Sequence, residues 1–156
     1  MTGATSNQGS GTAAEPAVGS TVTHRRYVPY SHAHYAGNLV DGAYSLAAFG
    51  DAATELCIRT DGDEGLFASY SDVQFRAAVR AGDLIEIEAR LVRVGRRSRE
   101  MEFELRVVGR AAAERGASSA DILDPPIVAT TARGVVVVPC SAPEGPAQES
   151  PPGGES

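Results

Sequence analysis

One segment limits the fold more than any other: a stretch of about five helical turns that is apolar nearly all the way round. Over residues 41–59, Leu39, Ala43, Leu46, Ala47, Gly50, Ala53 and Cys57 recur at three- and four-residue steps and predict one apolar stripe facing a core. Asn38 or Asp41 can cap the start, and Asp61-Gly62-Asp63-Glu64-Gly65 supplies the turn chemistry that ends it. Asp61, Asp63 and Glu64 look superficially like a calcium loop. The sixth position is Leu66 where the turn glycine belongs, so the segment reads as a helix-ending turn.

Beyond this helix the apolar period changes from helical to alternating. Residues 70–79 read as a strand ending at Arg80-Ala81-Gly82-Asp83. Residues 84–94 alternate Leu84, Ile87, Ala89, Leu91 and Val92 against Glu86, Glu88, Arg90 and Arg93, with a bulge expected near Ile85. After Gly95-Arg96-Arg97-Ser98 turns the chain, residues 99–110 alternate again. Residues 111–124 read as an excursion stopped by Pro125-Pro126. The valine-dense run 127–138 reads as a final, central strand, and residues 27–32 as a short first strand or extended lead-in. One long helix and an antiparallel meander make an α+β plan, and covering the sheet's apolar face requires the sheet to wrap that helix.

Of the 156 residues, 1–21 are mostly Gly, Ala, Ser and Thr with almost no large apolar side chain, and 141–156 are mostly Pro, Gly, Glu and Ser. Neither stretch can bury enough surface to offset ordering, so both are expected to be tails around one domain at 22–140. The formal charge of −6 argues against a general nucleic-acid partner. Cys57 and Cys140 stand outside any metal spacing, and Cys57 reads as a buried thiol. Without a basic start leading into an apolar run, or a run of membrane-spanning length, the expectation is a cytoplasmic protein with no membrane partner.

At 100° per residue Tyr44, Asp51 and Glu55 fall within about 40° of one another, on a helix otherwise apolar. A solvated face explains such acids on an ordinary amphipathic helix. Here Ala48, Phe49 and Ala52 flank Asp51, and Ser31, His32, His34, Tyr35 and Asn38 precede the helix. His32 and His34 share one face of an extended segment, yet no third ligand follows at metal spacing, so no metal is expected. An acid/base or hydrogen-bonding role suits a histidine there. Arg96, Arg97, Ser98 and Arg99 concentrate cations at a hairpin. That is either a soluble turn or a grip on the phosphates of a nucleotide-bearing ligand.

Asn38, Gly42 and Asp51, followed by Val73-Gln74-Phe75, Ala81-Gly82-Asp83 and Val94-Gly95-Arg96-Arg97-Ser98, resemble the hot-dog acyl-CoA thioesterases. A fuller resemblance lies within that superfamily, in Ala33-His34-Tyr35, Gly37-Asn38-Leu39-Val40, Gly50-Asp51, Ala53-Thr54-Glu55 and Asp61 to Phe67. It continues through Met101-Glu102-Phe103-Glu104 and Pro125-Pro126-Ile127-Val128. These runs are similar to the 3-aminobutyryl-CoA and β-alanyl-CoA ammonia lyases. The resemblance implies a hot-dog fold and reversible loss of ammonia from a 3-aminoacyl-CoA, with coenzyme A part of the substrate and no added cofactor. It implies a pocket between two subunits, Asp51 and Glu55 of one facing His34 and Asn38 of the other. Asp51 or Glu55 would move the proton, Asn38 would orient or polarise, and His34 would be a second acid/base. Tyr35, Gly42 and the cationic hairpin would bind substrate, and backbone N–H groups from Asn38 to Gly42 would hold the enolate oxygen. Two rival readings are hydrolysis of a short-chain acyl-CoA and a non-catalytic acyl-CoA-binding subunit.

Overall fold

A computed structural model of the chain describes residues 16–139. The tails expected over 1–21 and 141–156, and Cys140, therefore lie outside the described residues except for 16–21. Seven strands and one helix follow in the order β1 (Thr21–Tyr27), β2 (Ala33–Tyr35), β3 (Leu39–Val40), α1 (Gly42–Asp61), β4 (Leu66–Phe75), β5 (Leu84–Val94), β6 (Ser98–Ala111) and β7 (Ala120–Val137), with short 3-10 turns at Tyr30–His32 and Ala36–Asn38. Five strands form one antiparallel sheet in the order β1-β5-β6-β7-β4, while β2 and β3 make a small hairpin in front of the helix. The sheet curls round α1, giving the hot-dog arrangement.

The helix buries Ser45, Ala48, Phe49, Ala52, Ala53, Leu56, Cys57 and Thr60. This corrects the expected stripe, since Ala43 and Ala47 are exposed. Small apolar residues occupy almost every face, so their spacing fits more than one phase. The two bulky side chains, Phe49 and Leu56, decide which phase faces the sheet. Phe49 stacks on Phe103 at 5.1 Å between ring centroids, and Phe67 lies 5.9 Å from the same ring. The three buried hydroxyls are satisfied: Thr130 Oγ1 and Ser45 Oγ meet at 3.1 Å, and Thr60 Oγ1 donates to the Leu56 carbonyl at 2.9 Å.

Three strand expectations shift. The first strand is Thr21–Tyr27, ahead of the expected 27–32, because Val22, His24 and Arg26 alternate inward and pair with β5. The strand after the helix is Leu66–Phe75 instead of 70–79, since Gly62 (φ 67°) and Gly65 (φ 66°) close the turn early. β7 begins at Ala120 and passes through Pro125-Pro126. Its partners jump from Val107↔Ile127 to Gly109↔Ile122, so the prolines sit in a bulge where no ladder N–H is required. The central strand is β6, not the valine-dense β7. β5 matches its expected bounds, and its register shift between Leu84 and Ile85 is the expected bulge.

Candidate active site

The approach to α1 is a tight hairpin. Gly37 (φ 75°) and Asn38 (φ 60°) both take the left-handed conformation between β2 and β3, which Gly adopts freely and Asn tolerates. Two backbone bonds pin it: Ala81 N–H donates to the Asn38 carbonyl at 2.8 Å, and Val40 N–H donates to the Val79 carbonyl at 2.9 Å. The Asn38 side chain is left exposed. Asp41 is the helix cap, its Oδ1 accepting the Tyr44 N–H at 3.1 Å. His34 is exposed beside it, with Nδ1 3.8 Å from Asp41 Oδ2 and its ring edge-on to Tyr35.

A cleft of about 470 Å³ opens at this helix start, lined by Tyr35, Val40, Gly42, Ser45, Phe75 and Thr130 among others. The Phe75 ring stands where a Cβ on residue 42 would sit, so only glycine admits this close approach. The N–H groups of Gly42 and Ala43, first in the helix, donate to no protein acceptor among the described residues and carry the positive end of the helix dipole. A cleft of mixed lining with the Gly42 N–H at a helix N-terminus suits an apolar chain ending in an oxygen that gains negative charge.

Farther along α1, Asp51 and Glu55 lie on one face with β1 alongside. Arg26 Nη2 pairs with Asp51 Oδ2, and His24 Nε2 contacts Glu55 Oε2. Arg59 adds a second partner for Glu55, at 2.7 Å from Oε1. The His24 bond and then the Arg59 bond hold the Glu55 carboxyl below the usual carboxylate range. Beneath them the Tyr70 hydroxyl donates to the Leu46 carbonyl at 2.6 Å. Burial, with the Asp51 charge adding to it, pushes the Tyr70 phenol up to about 12. Tyr70 therefore remains a donor across the working pH range.

The candidates thus form two groups within one chain. His34, Tyr35, Asn38 and Gly42 surround the helix start. Asp51 and Glu55 lie about 14 and 20 Å farther along the axis, at 1.5 Å per residue.

The hairpin candidates separate too. Arg99 is buried and heavily used: its Nε lies 3.1 Å from both Asp61 oxygens, its Nη1 donates to the carbonyls of Gly95 and Ser98 at 3.0 and 2.9 Å, and its Nη2 donates to Asp61 Oδ1 at 2.5 Å. It ties the helix C-terminus to the β5–β6 turn, and with Arg96 it lines a cavity there. Arg97 leans on the Val138 carbonyl at 3.5 Å, the Ser98 hydroxyl folds back over Gly95, and Arg96 is exposed.

The family model for the thioesterase superfamily matches residues 37–113. A 3-aminobutyryl-CoA ammonia lyase of Acetoanaerobium sticklandii is 51% identical over 107 residues, 69% of this chain and 85% of that protein. The chain belongs to the hot-dog ammonia lyases of the thioesterase superfamily. Among solved structures, the β-alanyl-CoA:ammonia lyase of Clostridium propionicum superposes with a TM-score of 0.74 at 35% identity, covering 78% of this chain and 87% of that one. A hexameric hot-dog thioesterase of Campylobacter jejuni, at 24% identity and TM-score 0.60 over 73% of this chain and 79% of its own, shares the fold.

In this ammonia lyase fold, four residues at the site escaped the sequence reading. His24 and Arg26 lay in the gap between the expected tail and the expected first strand, although Val22-His24-Arg26 alternates correctly for a half-buried strand. Tyr70 and Phe75 are ordinary strand residues by pattern. Only the fold shows Tyr70 under the helix and Phe75 over Gly42.

Proposed function

We propose that this protein is a carbon–nitrogen lyase that eliminates ammonia reversibly from a 3-aminoacyl-CoA, 3-aminobutyryl-CoA or β-alanyl-CoA, to give the 2-enoyl-CoA. The observation that carries the reading is 51% identity to a 3-aminobutyryl-CoA ammonia lyase across 85% of that relative. The thioester oxygen sits at the helix start, where Gly42 and Ala43 N–H groups stabilise the enolate and Asn38 orients or polarises the carbonyl. A helix carboxylate, Asp51 or Glu55, takes the proton from the carbon next to that carbonyl, and His34 serves as a second acid/base. The C–H pair becomes the new double bond, and the ammonium substituent departs as ammonia with the C–N pair.

One chain keeps these groups about 14–20 Å apart along α1. We place the pocket between two copies, the carboxylates of one facing His34 and Asn38 of the other. Self-association as a dimer or a dimer-based oligomer follows from that requirement. Tyr35 and Gly42 shape the acyl cleft, and Arg96 and Arg97, with Ser98 beside them, meet the coenzyme A phosphates. The reaction needs no added cofactor. No helix among the described residues is long and apolar enough to cross a membrane. An acyl-CoA substrate fits a cytoplasmic enzyme without a nucleic-acid or membrane partner.

Incubation with crotonyl-CoA and ammonium tests the reaction directly. Enoyl absorbance falls without release of free thiol, and thiol release overturns the proposal in favour of hydrolysis. Comparing crotonyl-CoA with acryloyl-CoA tells which β-carbon substituent is preferred. At least one of Asp51→Asn and Glu55→Gln should cut turnover a hundredfold or more. Full turnover in both refutes their role.

A further inference from the structure

The two helix carboxylates are not equivalent, because β1 gives each a different kind of partner. Asp51 is paired with Arg26, a group that keeps its proton at any working pH. Glu55 is paired with His24, whose ring nitrogen can accept a proton and return it. Arg59 pairs with Glu55 from the helix itself, so each carboxylate has a guanidinium partner, and the imidazole is what Glu55 has in addition. A carboxylate held by an imidazole can pass on the proton it collects. We propose that Glu55 is the proton-transferring carboxylate, that His24 is its positioning residue and proton store, and that Asp51 with Arg26 is a fixed anion that attracts the substrate's ammonium group.

This assignment deepens the lyase reading and rests on it. Glu55 takes the proton from the carbon beside the thioester carbonyl, and that C–H pair forms the carbon–carbon double bond. The C–N bond breaks with its pair on nitrogen, so the ammonium substituent leaves as ammonia. The collected proton moves from Glu55 to His24 Nε2 and returns through Glu55 to ammonia, which leaves as ammonium. Every proton and electron pair is accounted for without a further reactant.

The surroundings of His24 favour such a store. Glu55 meets it from α1, Arg59 holds the other oxygen of that carboxylate, and Arg26, paired with Asp51, lies two residues along its own strand. On the sheet side its direct partner is Ile87, with Ile85 and Ala89 beside it on the same face, all fully buried and uncharged. Among the described residues Glu55 is therefore its only direct carboxylate contact. His24 is about a fifth exposed at its side chain, so water does not compete freely for the ring.

The test is the pH dependence of kcat/KM for 3-aminobutyryl-CoA in the wild type and in His24→Gln, which keeps a donor for Glu55 but cannot store a proton. The acid limb of the variant moves to lower pH, because the group that stores the proton is gone. Its plateau kcat falls about tenfold or more, with KM little changed. Arg59→Gln removes a fixed charge instead and moves the limb upward. A His24→Gln profile that superimposes on the wild type overturns the role while leaving the reaction standing; a wild type with no turnover overturns both. Independently of activity, nitrogen NMR at one fixed pH should show the His24 ring signals moving in Glu55→Gln and unchanged in Asp51→Asn. His24 signals that do not respond to Glu55→Gln overturn the pairing.

Discussion

Replacing Arg99 with methionine separates a structural arginine from a ligand-binding one. Arg99 and Asp61 are each 8% exposed at the side chain, and the guanidinium serves three acceptors at once: the Asp61 carboxylate and the carbonyls of Gly95 and Ser98. Methionine matches the length of the stem and leaves Asp61 buried with only the Thr60 hydroxyl, 2.9 Å away. Removing one partner of a buried ion pair costs about 3–5 kcal/mol, because the remaining charge has lost its compensation. For a domain of this size each kcal/mol is worth roughly 3–5 °C, so the melting temperature should fall by about 10–20 °C. The measurement is urea and thermal unfolding at one fixed protomer concentration, since association adds its own stability. Asp61→Asn combined with Arg99→Met should lose less than the sum of the single changes, because the two residues share one interaction. Coenzyme A affinity, measured calorimetrically on the folded variant, should change less than about threefold, against tenfold or more for losing a charged phosphate contact. Stability within about 1 kcal/mol of wild type, together with a tenfold loss of coenzyme A affinity, would refute the structural role and return Arg99 to the phosphate site.

Three further outcomes are expected. Gly42→Ala pushes a methyl group into the Phe75 ring, and because that ring is more than half exposed it can swing away. Stability then changes little while kcat/KM falls roughly tenfold or more, and Phe75→Ala in the same chain restores part of it. The Glu86 carboxyl is held below its ordinary value by Arg25 and then Arg106. Its contribution is present above the ordinary carboxyl value and is lost as pH falls through the lowered one, so Glu86→Gln should cost roughly 1–2 kcal/mol in urea unfolding at pH 7. That difference should shrink below about pH 4; a constant difference down to pH 2.5 contradicts the assignment. Burial pushes the Cys57 thiol up to about 11, so in a Cys140→Ser background it should resist maleimide at pH 8 until the protein is unfolded, and rapid native labelling would place it at the surface.

The fold was legible where one pattern had one solution. Alternation over Leu84–Val94 located β5 to the residue, because Glu86 and Glu88 cannot exchange faces with Ile87 and Ala89. The helix was legible in extent and not in phase, since Ala43 and Ala47 are as apolar by type as Ala48 and Ala52. Only packing against Phe103 chooses between them. Pro125-Pro126 suggested a break because proline ends ladders in general. β7 passes through by taking the extra residues up in a bulge, a tertiary solution that no local pattern encodes. The carboxylates Asp51 and Glu55 stood out by helical geometry alone. Their partners did not, because a strand reaches a helix through the sheet, and spacing along the chain says nothing about a contact 31 residues away. The Arg99–Asp61 pair was hidden for the same reason. A run of arginines at a turn looks uniform until Asp61 claims one of them.

The pairing of β1 with α1 works like a vernier. Two residues of strand advance about 6.6 Å and four residues of helix about 6.0 Å, so His24 and Arg26 run nearly in step with Glu55 and Asp51. The match lasts about two rungs before the scales drift apart, which suits a seven-residue strand. It also makes the electrical character of the helix face a matter of alignment. A slip of β1 by one residue would turn His24 and Arg26 to the outside together and bring Thr23 and Arg25 to the acids. Because β1 is an edge strand, and His24 and Arg26 are only partly buried and lie outside the core cluster that holds Val22, those two residues can change without repacking Phe49, Phe67 or Phe103. The carboxylates can therefore be retuned from the rim of the sheet while the helix that bears them stays fixed.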